Sequence, residues 1–162
     1  MSGSLDTRKG QENMKSQHVL DDELDLERFV DAQRISYDDA FHEVASGKKK
    51  THWMWYIFPQ IKGLGVTSIS QKYAIKDLAE ARAFYEHPYL GKNLRDITAV
   101  LLTLQTDDAY GIFGSPDHLK LRSCMTLFSV AVPEEPLFLQ VLDKYYGGRK
   151  DEKTLEILKN KE

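Results

Sequence analysis

Residues 52–65 read HWMWYIFPQIKGLG and gather the side chains best suited to chemistry. Trp53 and Trp55 are the two tryptophans of the chain, with His52 before them and Gln60 after. Indole rings stack on planar ligands while burying a large apolar area. An imidazole changes its charge near neutral pH, and a buried amide requires partners that a ligand can supply. The turn Gly63-Leu64-Gly65 lets backbone amides approach an anion, and Ser68 and Ser70 follow where a helix can start. Tyr73 adds another ring.

These residues predict a pocket around residues 52–70 that binds or hydrolyses a nucleotide-like or ribosyl metabolite. Trp53, Trp55 and Tyr73 would meet the ring, Gln60 its polar atoms, and Gly63, Gly65, Ser68 and Ser70 an anionic group. Were a glycosidic bond hydrolysed, an acid/base would be needed. His52 is then the candidate for proton transfer, and Asp117 a more remote one. The competing reading makes the aromatics core packing and the serines a turn with a helix cap.

Other chemistry lacks its residues. The five histidines (His18, His42, His52, His87, His118) include no pair at i,i+3 or i,i+4, so no helical metal motif is expected. Cys124, the single cysteine, cannot form an intramolecular disulfide. There is no G-x-S-x-G elbow. Gly63 to Ser68 resembles a dinucleotide fingerprint, but its third glycine is a serine and Pro59 breaks the preceding strand. No cofactor is expected.

A chain of 162 residues with 41% apolar composition suits one globular domain. Of 22 basic and 25 acidic residues, 3 and 6 fall within residues 1–25, so the remainder carries 19 of each. A neutral body argues against a nucleic-acid footprint, which needs a basic surplus on one face. No apolar run approaches a membrane span, and no secretory signal is visible, which makes the cytoplasm the expected location, with the nucleus not excluded.

Residues 1–25 are polar and lack aromatics, as a disordered extension would. Residues 26–162 read as a single helical domain. Asp25 can cap a first helix, Asp77 with Glu80 opens another, and Pro88 starts a third. Ser115-Pro116-Asp117 marks a fourth start, Pro136 a fifth and Asp151 a last. A short helix over residues 69–75 is also expected. Only residues 53–58 suggest a strand, and one strand makes no sheet. The fold expected is therefore all-α, a compact bundle of six to seven helices with an aromatic extended segment.

Several ordered motifs add a resemblance: His52-Trp53-Met54-Trp55, Phe58-Pro59-Gln60, Tyr73-Ala74-Ile75, His87-Pro88-Tyr89-Leu90-Gly91, Ile112-Phe113-Gly114-Ser115-Pro116-Asp117 and Ser123-Cys124-Met125-Thr126. Over residues 26–159 the chain resembles the domain-of-unknown-function family 1810, whose members are sometimes mislabelled calpastatin. That resemblance implies a compact, mostly helical domain and assigns no activity. A looser likeness is to N-glycosidases acting on ADP-ribose-like or riboflavin-pathway intermediates. The alternative to a metabolite pocket is a non-catalytic protein-interaction domain.

Overall fold

Six stretches that carry a legible start or stop signal form the long helices, and three short helices join them. The computed structural model describes residues 25–161. Among these every named element is a helix: α1 (Glu27–Ala45), α2 (Met54–Ile57), α3 (Ser68–Lys72), α4 (Leu78–Glu86), α5 (Pro88–Thr103), α6 (Ala109–Phe113), α7 (Asp117–Ala131), α8 (Leu137–Tyr146) and α9 (Glu152–Lys161). The expected disordered extension lies outside the described residues except for Asp25. No helix among the described residues is long and apolar enough to cross a membrane.

Local chemistry explains most boundaries. Asp77 caps α4 by accepting the Glu80 N–H at 2.9 Å, and the Glu80 carboxylate reaches back to the Lys76 N–H at 2.9 Å. His87 Nδ1 accepts from the N–H groups of Tyr89 and Leu90, with Pro88 in the first helical position of α5. Gly147 ends α8 at φ 61, a left-handed conformation that glycine adopts without penalty. Asp151 caps α9 through the Thr154 N–H at 3.0 Å.

Asp25 and Ser115 do not cap. The cap positions of α1 and α7 are Leu26 and Pro116, and neither makes a side-chain cap bond. Backbone carbonyls serve these donors instead. Leu26 O accepts from Phe29 and Val30, while Pro116 O accepts from Leu119 and Lys120. Residues 53–58, expected as extended, contain the single helical turn α2. Trp53, Met54, Ile57 and Phe58 are buried whereas Trp55 and Tyr56 are half-buried, which is helical periodicity rather than alternation.

The central helix is α7, buried nearly all round from Ser123 to Ser129 and packed by α4, α6, α8 and α9. A chain of rings ties four helices together: Phe29 of α1 to Phe84 of α4 at 5.0 Å, Phe84 to Phe128 of α7 at 5.6 Å, and Phe128 to Phe138 of α8 at 5.5 Å. Beside this core, the loop after α2 is closed at its neck. The Ile75 N–H bonds to Gln60 O at 2.8 Å and the Lys62 N–H to Ile75 O at 2.7 Å, with Ile61 and Ile75 both buried. That neck fixes everything the loop carries.

Candidate functional site

One face of α1 positions the aromatic segment. Arg28 donates to Lys72 O at 2.6 Å and Ala74 O at 2.8 Å, holding the far end of the closed loop. Gln33 donates to Tyr56 O at 2.8 Å and accepts from Asn93 Nδ2 at 3.0 Å. The Tyr56 hydroxyl donates to Ser36 Oγ at 2.9 Å. Polar residues on an apolar helix face need such partners, and here the partners are the segment itself.

Glu43 makes the densest of these attachments. Its carboxylate accepts from the Lys50 N–H at 2.7 Å, the Thr51 N–H at 2.9 Å, the Thr51 hydroxyl at 2.6 Å and the Trp53 indole N–H at 2.9 Å. Burial alone would raise the carboxyl's pKa. The bonds from the Thr51 hydroxyl, the Lys50 and Thr51 amides and the Trp53 indole more than reverse this, pulling it down to about 2. Sequence reasoning missed Glu43, Gln33 and Arg28 as positioning residues. The available signal was that Gln33 falls on the apolar stripe of α1, where an unpaired polar side chain is costly.

Anchored this way, the segment forms one wall of a groove of about 270 Å³. Trp55, Gln60, Gly65 and Ser70 line it from the loop side. Pro116, Leu119 and Lys120, from the start of α7, form the other wall. Lys120 Nζ stands 5.3 Å from the Trp55 ring centroid, a cation–π distance. Lys120 also pairs with Asp117 at 3.3 Å, and Asp117 pairs with Lys49 at 3.0 Å. An adjoining crevice of about 10 Å³ brings in Tyr73, and holds a single water at most.

Two groups in the groove have no protein hydrogen-bond partner among the described residues: the side-chain amide of Gln60 and the indole N–H of Trp55. By contrast, Ser70 is engaged. Its hydroxyl donates to Thr67 O at 2.9 Å and its N–H bonds to Thr67 Oγ1 at 3.2 Å. Gly65 is required by this turn, because a Cβ there would sit 2.4 Å from Ser70 Oγ. The anion-binding expectation therefore meets a five-residue helix whose Ser70 hydroxyl is already bonded to the Thr67 cap.

The remaining expected residues lie elsewhere. Trp53 is 1% exposed and packs against Phe58 and Phe113, so it faces the core. His52 is exposed and contributes only its carbonyl, to the Tyr56 hydroxyl at 3.4 Å. Gly63 is exposed and faces Ile157 of α9, and Ser68 is exposed at the start of α3. Asp117 sits between two lysines behind the groove wall. Lys120 is the one titratable side chain among the described groove-lining residues. Among the described residues no group of three or more His, Cys, Asp or Glu is arranged for a metal. Cys124 is fully buried in α7, and burial pushes its thiol pKa up.

Comparison with known proteins agrees with the fold and offers no reaction. A crystal structure of the conserved hypothetical protein Rv1873 from Mycobacterium tuberculosis matches with a TM-score of 0.83 and 42% identity. The match covers 85% of this chain and 98% of that one. No curated protein sequence matches. The looser likeness to N-glycosidases has no counterpart in these comparisons. The family model described as "Protein of unknown function (DUF1810)" matches residues 23–158, and the chain belongs to that family.

Proposed function

We propose that this protein binds a small nucleotide-like or ribosyl metabolite in the groove between the closed loop and α7. Gln60 carries the reading, since its amide opens into the groove without a protein partner. An amide offers a donor and an acceptor side by side, which suits the polar edge of a nucleobase or a carboxamide. The half-buried face of Trp55 supplies a stacking surface, and Lys120 beside it favours a ligand with negative charge. At about 270 Å³ the groove is close to the lower end of ordinary small-molecule sites, so it fits a nucleoside-sized moiety better than a whole dinucleotide.

Binding without hydrolysis is the version we favour. Glycosidic cleavage needs a proton donor and charge stabilisation at the scissile bond, and Lys120 is the one titratable group lining the groove. Calorimetric titration with nucleosides, nucleotides, ADP-ribose and NAD tests the proposal. Saturable binding that Gln60→Ala weakens supports it; silence at millimolar ligand overturns it.

A second reading rests on Val66, which is 87% exposed on the groove rim beside Leu119 at 44%. The same slot would then receive an apolar side chain from a partner protein. Chemical-shift perturbation separates the two readings. A metabolite perturbs Gln60 and Trp55, whereas a docked peptide also perturbs Val66 and Leu119 across the rim.

A further inference from the structure

Lys120 and Arg122 project about 200° apart around α7, so the groove and the surroundings of Arg122 lie on different faces of the protein. On the Arg122 side a second concavity, of about 480 Å³, opens where Gly148 leads into α9. Arg122, Arg149, Lys150 and Lys153 line it together with Asp151 and Glu152. Four cations against two carboxylates leave an excess of two positive charges.

Asp151 is already committed. It accepts from Ser123 Oγ at 3.1 Å and the Thr154 N–H at 3.0 Å, while its own N–H donates to Thr126 Oγ1 at 2.9 Å. Those bonds fasten α9 to α7 and explain Ser123 and Thr126 structurally. Arg122 is in the opposite condition. Its nearest carboxylate oxygen, on Asp151, is 3.8 Å away, beyond hydrogen-bond reach. Its Nε is buried with no acceptor, no side-chain hydrogen bond leaves the guanidinium among the described residues, and its Cζ stands 6.0 Å from the Tyr146 ring centroid. Leaving a buried donor unpaired is costly, and native proteins do so rarely without a reason.

We propose that this cleft binds a phosphate-type dianion: pyrophosphate, or the phosphate end of a phosphate monoester. The planar fork of a guanidinium matches two oxygens of a phosphoryl group, which would give the Arg122 Nη donors acceptors within hydrogen-bond reach. The exposed Arg149, Lys150 and Lys153 add field strength at the mouth. A dianion balances the excess charge, whereas a carboxylate would leave half of it. The basic residues surround a hollow and do not extend into a stripe, which favours a small anion over a nucleic-acid backbone.

Calorimetry of the full chain with inorganic pyrophosphate and inorganic phosphate tests this. One-site binding that weakens with added salt is expected. Arg122→Gln should lower affinity by about tenfold, since charge-assisted bonds are the strong ones. The double variant Arg149→Gln/Lys153→Gln, at exposed positions where folding is not at stake, should lower it as well. Lys92→Gln, an exposed lysine on α5, serves as the charge-matched control and should change nothing. Silence at millimolar pyrophosphate overturns the proposal. So does equal weakening by Lys92→Gln and Arg122→Gln, which would mean diffuse attraction, or binding of an oligonucleotide where pyrophosphate fails.

Discussion

Trp53 and Trp55 are two residues apart and live in opposite conditions. Trp53 is enclosed, its ring against Phe58 and Phe113 and its N–H bonded to Glu43. Trp55 is half-buried, faced by Lys120, and its N–H has no protein partner among the described residues. The first ring is therefore part of what holds the segment, and the second is part of what the segment presents. An aromatic-rich motif can thus divide its labour within one helical turn, so residue type alone does not tell scaffold from site.

The comparison breaks most readily at Trp53. Trp53→Ala removes a fully buried indole and should cost about 3–5 kcal/mol of folding stability, whereas Trp55→Ala should cost less than about 1 kcal/mol. Urea unfolding of the two variants measures both. Equal losses would mean that the two rings share one structural role.

Glu43 comes next. Glu43→Ala strips four donors of their acceptor, one of them the buried indole N–H, and should cost about 2–3 kcal/mol. The pH dependence has a definite sign. The folded carboxyl is pulled down to about 2 while an unfolded glutamate titrates near about 4.3. The contribution is therefore present above the unfolded value and is lost as pH falls through about 2. Acid unfolding compared between the wild type and Glu43→Gln reads it directly. The two stability curves should converge as pH drops, and curves that stay parallel would remove Glu43 from this role.

Ligand affinity gives a smaller effect. Trp55→Ala should weaken binding of a nucleoside-type ligand by about tenfold, the order expected for one lost stacking contact of 1–3 kcal/mol. Trp53 offers no comparable test, because its removal disturbs the fold first. Unchanged affinity in Trp55→Ala would move the ligand out of the groove.

How much of this was written in the sequence depends on distance along the chain. Helix starts at Asp77, Pro88, Pro136 and Asp151 were legible because each bonds or shapes its own neighbours. Ser115 misled because the His118 N–H it would have capped already bonds to Gly114 O, and Asp25 because α1 takes Leu26 as its cap residue, one position further on. The turn α2 was hidden by its composition: six consecutive apolar residues carry no polar marker by which to distinguish a period of two from 3.6. Trp55, Gln60, Gly65 and Ser70 were named from their types and do line the groove. Lys120 was not, because it arrives from another helix and no local spacing announces that meeting. Gln33 stood on an apolar stripe, and asking what it would bond to could have found it, whereas Glu43 lies off that stripe and meets partners from a later loop.

His52 supplies the smallest expected effect and the cleanest control. A histidine beside two tryptophans invites a catalytic reading, and its place in sequence is as close to Trp53 as any residue can be. Position in space is what matters for proton transfer, since a general acid or base must reach the reacting atom directly or through one water. The side chain of His52 is exposed and not among the groove-lining residues. His52→Ala should therefore change stability by less than about 0.5 kcal/mol, as at an ordinary surface position. It should also leave nucleoside affinity within twofold of wild type, about 0.4 kcal/mol at most. Calorimetry and urea unfolding of this one variant check both. A large loss of affinity with the fold intact would bring the imidazole back to the ligand and return the division between the two tryptophans to question.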